Sequence, residues 1–326
     1  MAAEFLKLDA QEQQEVINAA APELKMLPAV LEKDVWICFV LNVLFSIPKR
    51  RPMVFKGGTS LSKVFNLINR FSEDIDISVN FLQDYERPIS KTKASNIREE
   101  IEANLQEYKE SLLAPSLTEA ATTYGDVLMI APGDSDWEIH VNYKSVLASS
   151  VGYLKPRVKI ELSGRNETEP SKPQKLQPYL ASKTEELAFP EPVVDTLLAE
   201  RTFWEKVTLI HAELNAGRIE ETAERMSRHW SDLAAIMKTD TGERAITDRE
   251  LCLQVVNHKD AFWRDGKARY DDCRNRKFRL VPTGKALAVL KSDYQSMLDV
   301  GMFFGAAASF DEVMKAVAAI EERLNS

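Results

Sequence analysis

A chain of 326 residues with a net charge of −8 is too long for one small hydrophobic core, so two domains are expected. Its 44% apolar and 28% charged residues are the proportions of a soluble globular protein. The acidic balance argues against a general nucleic-acid coat while leaving room for local phosphate-binding patches. Cys38, Cys252 and Cys273 are three and far apart, which fits a reducing cytoplasm better than a disulfide framework. The N-terminus, MAAEFLKLDAQEQQEV, carries acids and no long apolar run, unlike a secretory signal. The most apolar early segment, Val35 to Ile47, is too short to span a bilayer, so no membrane association is expected.

In chain order, residues 9–20 predict a helix capped by Asp9, and Pro28 begins a second helix, PAVLEKDVWICFVLNVLFSI. In that helix Val30, Leu31, Val35, Trp36, Val40, Leu41 and Leu44 recur at helical spacing. Pro48 and the KRRP cluster close it. The next stretch, VFKGGTSLSKVFNLINRFSEDIDISV from Val54 to Val79, predicts a strand, a paired-glycine turn, a helix and a strand bearing Asp74 and Asp76. A charged helical region from Ser90 to Leu113 follows, then strands at Thr123–Ile130, Trp137–Tyr143 and Arg157–Leu162 with alternating Val, Ile and Tyr. Residues 1–165 thus predict an α/β domain, and residues 166–191, polar and Pro-containing, a connection or extended edge. Residues 192–326 predict a helical domain, with helical patterns in VVDTLLAERTFWEKVTLIHAELNAG, ETAERMSRHWSDLAAIMKT, ITDRELCLQVVNHKDAFWR and FDEVMKAVAAIEERLN. The fold class expected is α+β, a small mixed sheet flanked by helices and followed by a helical bundle.

Gly57 and Gly58 permit positive φ and close approach of a ligand to bare backbone, and a turn opening a helix points free N–H groups at an anion. Thr59 and Ser60 add hydroxyls; a tight turn with no ligand is the alternative. In a strand, Asp74 and Asp76 share a face about 7 Å apart, where a divalent cation relieves their repulsion. The other reading is an exposed strand with solvated acids, against which Ile75, Ile77 and Val79 bury the opposite face. Arg70 either holds a triphosphate oxygen or pairs with Glu73, and Ser72 shares a strand face with Asp74. Glu161 is the first choice for a third metal ligand, with Glu138 and Asp136 as alternatives; a pairing of Glu161 with a basic neighbour is the competing reading.

Lys206 lies among Phe203, Trp204, Val207 and Leu209, where a lysine either reaches to solvent or serves a site. The run from Ser227 to Asp232 is unusually polar for a helix interior; His229 can pair with Asp232, and Asp232 can orient Lys206. His140 and His211 read as structural histidines. The basic residues Arg264, Arg269, Arg274, Arg276, Lys277 and Arg279, interleaved with Tyr270 and Phe278 and preceded by Trp263, form either an RNA-binding surface with stacking groups or a solvated face.

FKGGTSLSKVFNLINRFSEDIDISV, with LEKDVWICFVL upstream and ERTFWEKVTLIH, RMSRHWSDL and SDYQSMLDVGMFFG downstream, resembles the AbiEii/AbiGii-type nucleotidyltransferase toxins of the polymerase-beta-like nucleotidyltransferase superfamily. The GG-x-S to D-x-D pattern is shared across that superfamily, whereas the FWEK and SRHWSDL segments are more specific to this branch. The resemblance implies that Gly57, Gly58, Thr59 and Ser60 bind triphosphate, that Asp74 and Asp76 bind Mg²⁺, that Lys206 contacts phosphate and that Asp232 is an essential acid. Many relatives carry Asp where His229 stands, which leaves that residue's role open. It further implies transfer of a nucleoside monophosphate from an NTP to an acceptor hydroxyl, RNA and in particular the 3′ end of tRNA, by a toxin of an abortive-infection, phage-defence pair restrained by a separately encoded antitoxin. Transfer to a protein side chain, or nucleotide binding without turnover, are the competing readings.

Overall fold

The computed structural model describes residues 3–87, 89–147, 154–222, 224–263 and 265–326. They form two compact units. The first comprises Met1–Val64, Phe71–Tyr85 and Glu99–Leu197; the second comprises Phe65–Arg70, Glu86–Arg98 and Leu198–Ser326. Among the described residues, no helix is long and apolar enough to cross a membrane.

The first unit opens with a two-residue strand β1 (Ala3–Glu4) and helix α1 (Ala10–Leu24). Asp9 caps α1 as expected: its carboxylate accepts from the Glu12 N–H at 2.9 Å, while Glu12 accepts from the Asp9 N–H at 3.0 Å. Pro28 occupies the first turn of α2 (Pro28–Ser46). Next come β2 (Met53–Lys56), α3 (Gly57–Lys63), β3 (Asp74–Val79), α4 (Lys91–Tyr108, which belongs to this unit from Glu99 onward), α5 (Ala114–Ala121), β4 (Leu128–Pro132), β5 (Glu138–Tyr143), β6 (Arg157–Ser163), β7 (Ser171–Lys175), β8 (Leu187–Ala188) and β9 (Val193–Leu197). Seven strands make a mixed sheet in the order β4-β5-β6-β3-β2-β9-β7, in which β3 runs parallel to β6 and β2 parallel to β9.

Period-two alternation divides that sheet. Ile75, Ile77, Ile139, Val141, Ile160 and Leu162 are buried on one face, and the alternate residues Asp74, Asp76, Glu138, Lys159 and Glu161 are only partly buried. Two segments depart from expectation. Residues 123–127 are helical turns instead of strand, since Gly125 adopts φ 57° and ψ −128°, and β4 starts only at Leu128. Val193–Leu197, expected as the start of a helix, is a strand paired with β7 and β2, in keeping with its β-branched Val193, Val194 and Thr196. The segment read as a connection or extended edge supplies β7, at the edge of the sheet.

Helix α2 is apolar nearly all round, so burial extends beyond the expected stripe to every residue from Val30 to Leu41. That interval includes Glu32, Lys33 and Asp34, and each is satisfied. Glu32 accepts from the Ser145 hydroxyl and the Val146 N–H, both at 2.7 Å. Lys33 donates to Glu73 at 2.5 Å, and Asp34 pairs with Lys63 at 2.6 Å while accepting from the Tyr179 N–H at 2.7 Å.

The second unit holds α6 (Ala199–Ala216), α7 (Ser227–Ile236), α8 (Asp240–Thr247), α9 (Arg249–Phe262), α10 (Tyr270–Arg274), α11 (Gly284–Asp299) and α12 (Phe310–Asn325). Gly217, at φ 72°, ends α6, and Ser309 with Glu312 forms a capping box on α12. Trp204 and Trp230 sit in its core with their indole N–H groups donated to the carbonyls of Ala245 (3.0 Å) and Leu280 (2.8 Å). The segment Phe65–Arg70 joins this unit through a bridge between Arg70 and Phe303.

Replacing Asp34 by Ala strands the buried Lys63 ammonium. We expect a loss of about 3–5 kcal/mol, read as a lower urea midpoint by circular dichroism; an unchanged midpoint would show that the pair contributes nothing.

Candidate active site

Gly57, first residue of α3, sits at φ +79°, and a Cβ built on it would collide with Oδ2 of Asp76. Glycine is therefore required twice there, for the backbone conformation and for the approach of the carboxylate. Gly58 follows it in α3. The hydroxyls that follow brace the turn: Thr59 donates to the carbonyl of Asp74 at 2.5 Å, and Ser60 donates to the carbonyl of Gly57 at 2.9 Å. Ser72 is buried but precedes β3, which begins at Asp74, so it does not share a strand face with that residue.

On β3, Asp74 lies opposite Lys159 of β6 and Asp76 opposite Glu161; Glu138 of β5 is opposite Glu161 in turn. This register brings Asp74, Asp76 and Glu161 onto one patch of the sheet. The pairing of Glu161 with a basic neighbour is also realised, since the Lys159 ammonium is hydrogen-bonded to Glu161 and lies 3.7 Å from Oδ1 of Asp74. Burial alone would lower the pKa of Lys159, but the bond to Glu161 and the charges of Asp74, Glu161 and Glu138 raise it. Asp74 and Glu161 flank one ammonium, and carboxylate oxygens are donors of the kind that suits a hard divalent cation. The other alternative, Asp136, accepts from Lys109 through its backbone carbonyl at 2.5 Å.

Asp134, Glu138 and His140 are a group among the described residues whose ligand atoms lie within 4.8 Å of one another. His140 Nε2 lies 3.5 Å from Glu138 and 4.0 Å from Asp134 and has no hydrogen-bond partner, so His140 is not the fully satisfied structural histidine expected. Arg157, however, sits 3.2 Å from His140 Nδ1 and 3.5 Å from Asp134. A guanidinium only donates, which leaves Nδ1 the acceptor and Nε2 protonated. In this tautomer the protonated Nε2 is no metal ligand.

In the second unit, Arg70 and Lys206 converge on Asp232. Arg70 binds that carboxylate bidentately, Nε to Oδ1 and Nη2 to Oδ2, both at 2.8 Å. Lys206 Nζ is 2.8 Å from Oδ2 and 3.3 Å from Nδ1 of His229. Arg70, Lys206 and Asp232 are all buried, so Lys206 does not reach out to solvent and Asp232 orients it as expected. Burial would raise the Asp232 pKa, but the two cations hold it well below the carboxylate range. Burial together with Lys206 and Arg228 pushes His229 well down, which keeps it neutral. Two cations thus share one anion in this cluster. The role of Arg70 in this cluster was not legible in the sequence, where Glu73 is the near neighbour; Glu73 bonds Lys33.

Of the basic run, Arg264 lies outside the described residues. Arg269 pairs with Asp272 at 2.7 Å, Arg274 with Asp260 and Asp271 at 2.6 Å each, and Arg279 donates to the Leu214 carbonyl at 3.2 Å. Arg276 turns through φ +55°, and the Lys277 N–H donates to the Asp272 carbonyl at 2.8 Å. Tyr270 and Phe278 are buried, so they serve the core and cannot stack on bases. His211 is structural: Nδ1 accepts from the Arg279 N–H at 3.0 Å, and Nε2 lies 3.2 Å from the Arg269 carbonyl.

A glycine turn packed on a strand with two same-face aspartates, in a small mixed sheet followed by a helical unit, defines a nucleotidyltransferase. The chain belongs to the family described as nucleotidyl transferase AbiEii toxin, type IV toxin–antitoxin system, whose sequence pattern matches residues 41–316. Among solved structures it is similar in fold to MenT4, a nucleotidyltransferase toxin of Mycobacterium tuberculosis H37Rv, with a TM-score of 0.51 at 16% identity over 98% of this chain and 93% of that one. No curated protein matches it by sequence.

Gly57→Ala should cost at least about 1 kcal/mol in a left-handed position and displace Asp76; thermal unfolding and nucleotidyl transfer should both fall, and wild-type transfer would refute the close approach. His229 binds its proton more weakly when folded than unfolded. Below about pH 6.5 the unfolded chain therefore takes up a proton that the folded one refuses, and stability, full above that pH, falls on acidification. The melting temperature should drop from about pH 7.5 to 5.5, and less steeply in His229→Gln; equal slopes would rule out the neutral His229.

Proposed function

We propose that this toxin is a Mg²⁺-dependent nucleotidyltransferase that moves a nucleoside monophosphate from an NTP to the 3′-terminal hydroxyl of an RNA, with tRNA as the acceptor. The acceptor oxygen would attack the α-phosphorus. The new O–P bond forms as the bond to the bridging oxygen breaks, pyrophosphate leaves with that electron pair, and the hydroxyl proton passes to solvent. The observation that supports this best is the packing of Asp76 against the bare Cα of Gly57, with Asp74 on the same face of β3.

Asp74 and Asp76 would hold the cation, with Glu161 as a third ligand. When bound, Mg²⁺ would neutralise triphosphate charge and acidify the attacking hydroxyl. Gly57 and Gly58 would let phosphate oxygens approach the backbone. In the second unit, Asp232 and Arg70 fix Lys206, and the net positive charge of the cluster suits phosphate. Such chemistry rests on positioning and charge stabilisation. A separately encoded antitoxin, a role in abortive phage infection and a cytoplasmic setting complete the reading, which takes the acceptor from the family resemblance.

Purified protein should transfer label from radioactive NTPs to total RNA, and Asp74→Ala with Asp76→Ala should abolish it. Undiminished transfer by that variant would overturn the site, and label confined to a protein fraction would overturn the RNA acceptor.

A further inference from the structure

Lys159 is the residue of the acidic face that the reading above leaves without a task. It lies on β6 directly opposite Asp74, two residues before Glu161, so hydrogen bonding in the sheet core fixes where its stem starts. Its ammonium holds Glu161 by a hydrogen bond and lies 3.7 Å from Asp74 Oδ1. A divalent cation bound by Asp74 and Glu161 would draw on the same two carboxylates and be repelled by the ammonium beside them. Ammonium and metal are therefore alternatives at this face.

We propose that the Lys159 ammonium is a built-in counter-cation of the acidic face, offsetting part of the charge of Asp74 and Glu161 in the nucleotide-free protein and keeping their affinity for a free divalent cation low until a nucleotide arrives with it. The inference rests on the reading of that face as the metal site. Two features make the exchange feasible. The Lys159 side chain is 22% exposed on a flexible four-carbon stem, so it can swing away without opening the core. Lysine is also a point charge, without the rigid fork by which Arg70 locks Asp232. A triphosphate brings new anionic partners, so the displaced ammonium is not left uncompensated when metal and nucleotide enter together. Metal alone offers no such exchange. Loading thereby becomes cooperative between cation and NTP.

The test is Mn²⁺ binding to the nucleotide-free full chain, followed by the paramagnetic resonance of unbound Mn²⁺. Lys159→Met removes the competing charge and should tighten Mn²⁺ binding on the order of ten-fold or more. Lys144→Met, at an exposed lysine 4.0 Å from Asp126, should leave it unchanged. A non-hydrolysable NTP analogue should shrink the difference between Lys159→Met and wild type. Lys159→Gln provides a second neutral variant should Lys159→Met fold poorly, and must move affinity in the same direction. Equal or weaker Mn²⁺ binding by the neutral variants would overturn the proposal. Asp74→Asn, made in wild type and in Lys159→Met, separates the two failures. If it weakens Mn²⁺ binding while neutralising Lys159 does not tighten it, the metal site stands and the counter-cation falls. If it changes nothing in either background, the metal site falls and the proposal with it.

Discussion

The arrangement of the first unit depends on the buried ion pair between Asp34 and Lys63. Removing two charges from water is costly, and the pair is tolerable only because every remaining valence is met. Asp34 also accepts from the Tyr179 N–H, and Lys63 donates to the Gln177 carbonyl and lies 4.3 Å above the Tyr179 ring. Lys63 is the last residue of α3, the helix that begins at Gly57. Lys33, the residue before Asp34 on α2, bonds Glu73, the residue before Asp74. Consecutive charges of one helix thus pin both ends of the loop from the glycine turn to the aspartate strand. Such pairs do little for net stability compared with apolar packing, but breaking one strands the partner charge in the core.

How much of this could be read from the sequence differs from residue to residue. The glycine turn, the same-face aspartates, the cap of α1 by Asp9 and the start of α2 at Pro28 are local, and local rules suffice for them. Glu161 was reachable because strand alternation places it on a polar face, although its position opposite Asp76 depends on which strands pair. The partnership of Arg70 with Asp232 spans 162 positions, and no periodicity encodes it. Val193–Leu197 was misread for the opposite reason: five residues before a long amphipathic helix inherit its pattern, and only the β-branched content signals a strand.

The basic run from Arg264 onward shows why counting charges misleads. Its arginines are numerous, yet Arg269 and Arg274 are held by acids of their own unit, and the aromatics between them are core. The cluster around Asp232 holds fewer cations but keeps a net positive charge inside a buried site, where charge acts through a lower dielectric and is screened less. An anion is recognised by what remains after internal pairing.

Three lysines illustrate the same point through burial. Each holds a carboxylate, Lys63 with Asp34, Lys206 with Asp232 and Lys159 with Asp74 and Glu161, but their side chains are 3%, 8% and 22% exposed. Lys63 is sealed, so breaking its pair would leave a naked charge in the core, and its role is architectural. Lys206 is nearly sealed, but Arg70 shares its partner, so the Asp232 carboxylate keeps a counter-ion even if Lys206 shifts toward a phosphate. Lys159 is the most exposed and has no fork to hold it, so its contacts can be exchanged at the lowest cost. One chemical group, a lysine on a carboxylate, thus ranges from fixed scaffold to replaceable counter-ion, and the distinction rests on how much water can reach the ammonium when its partner is taken.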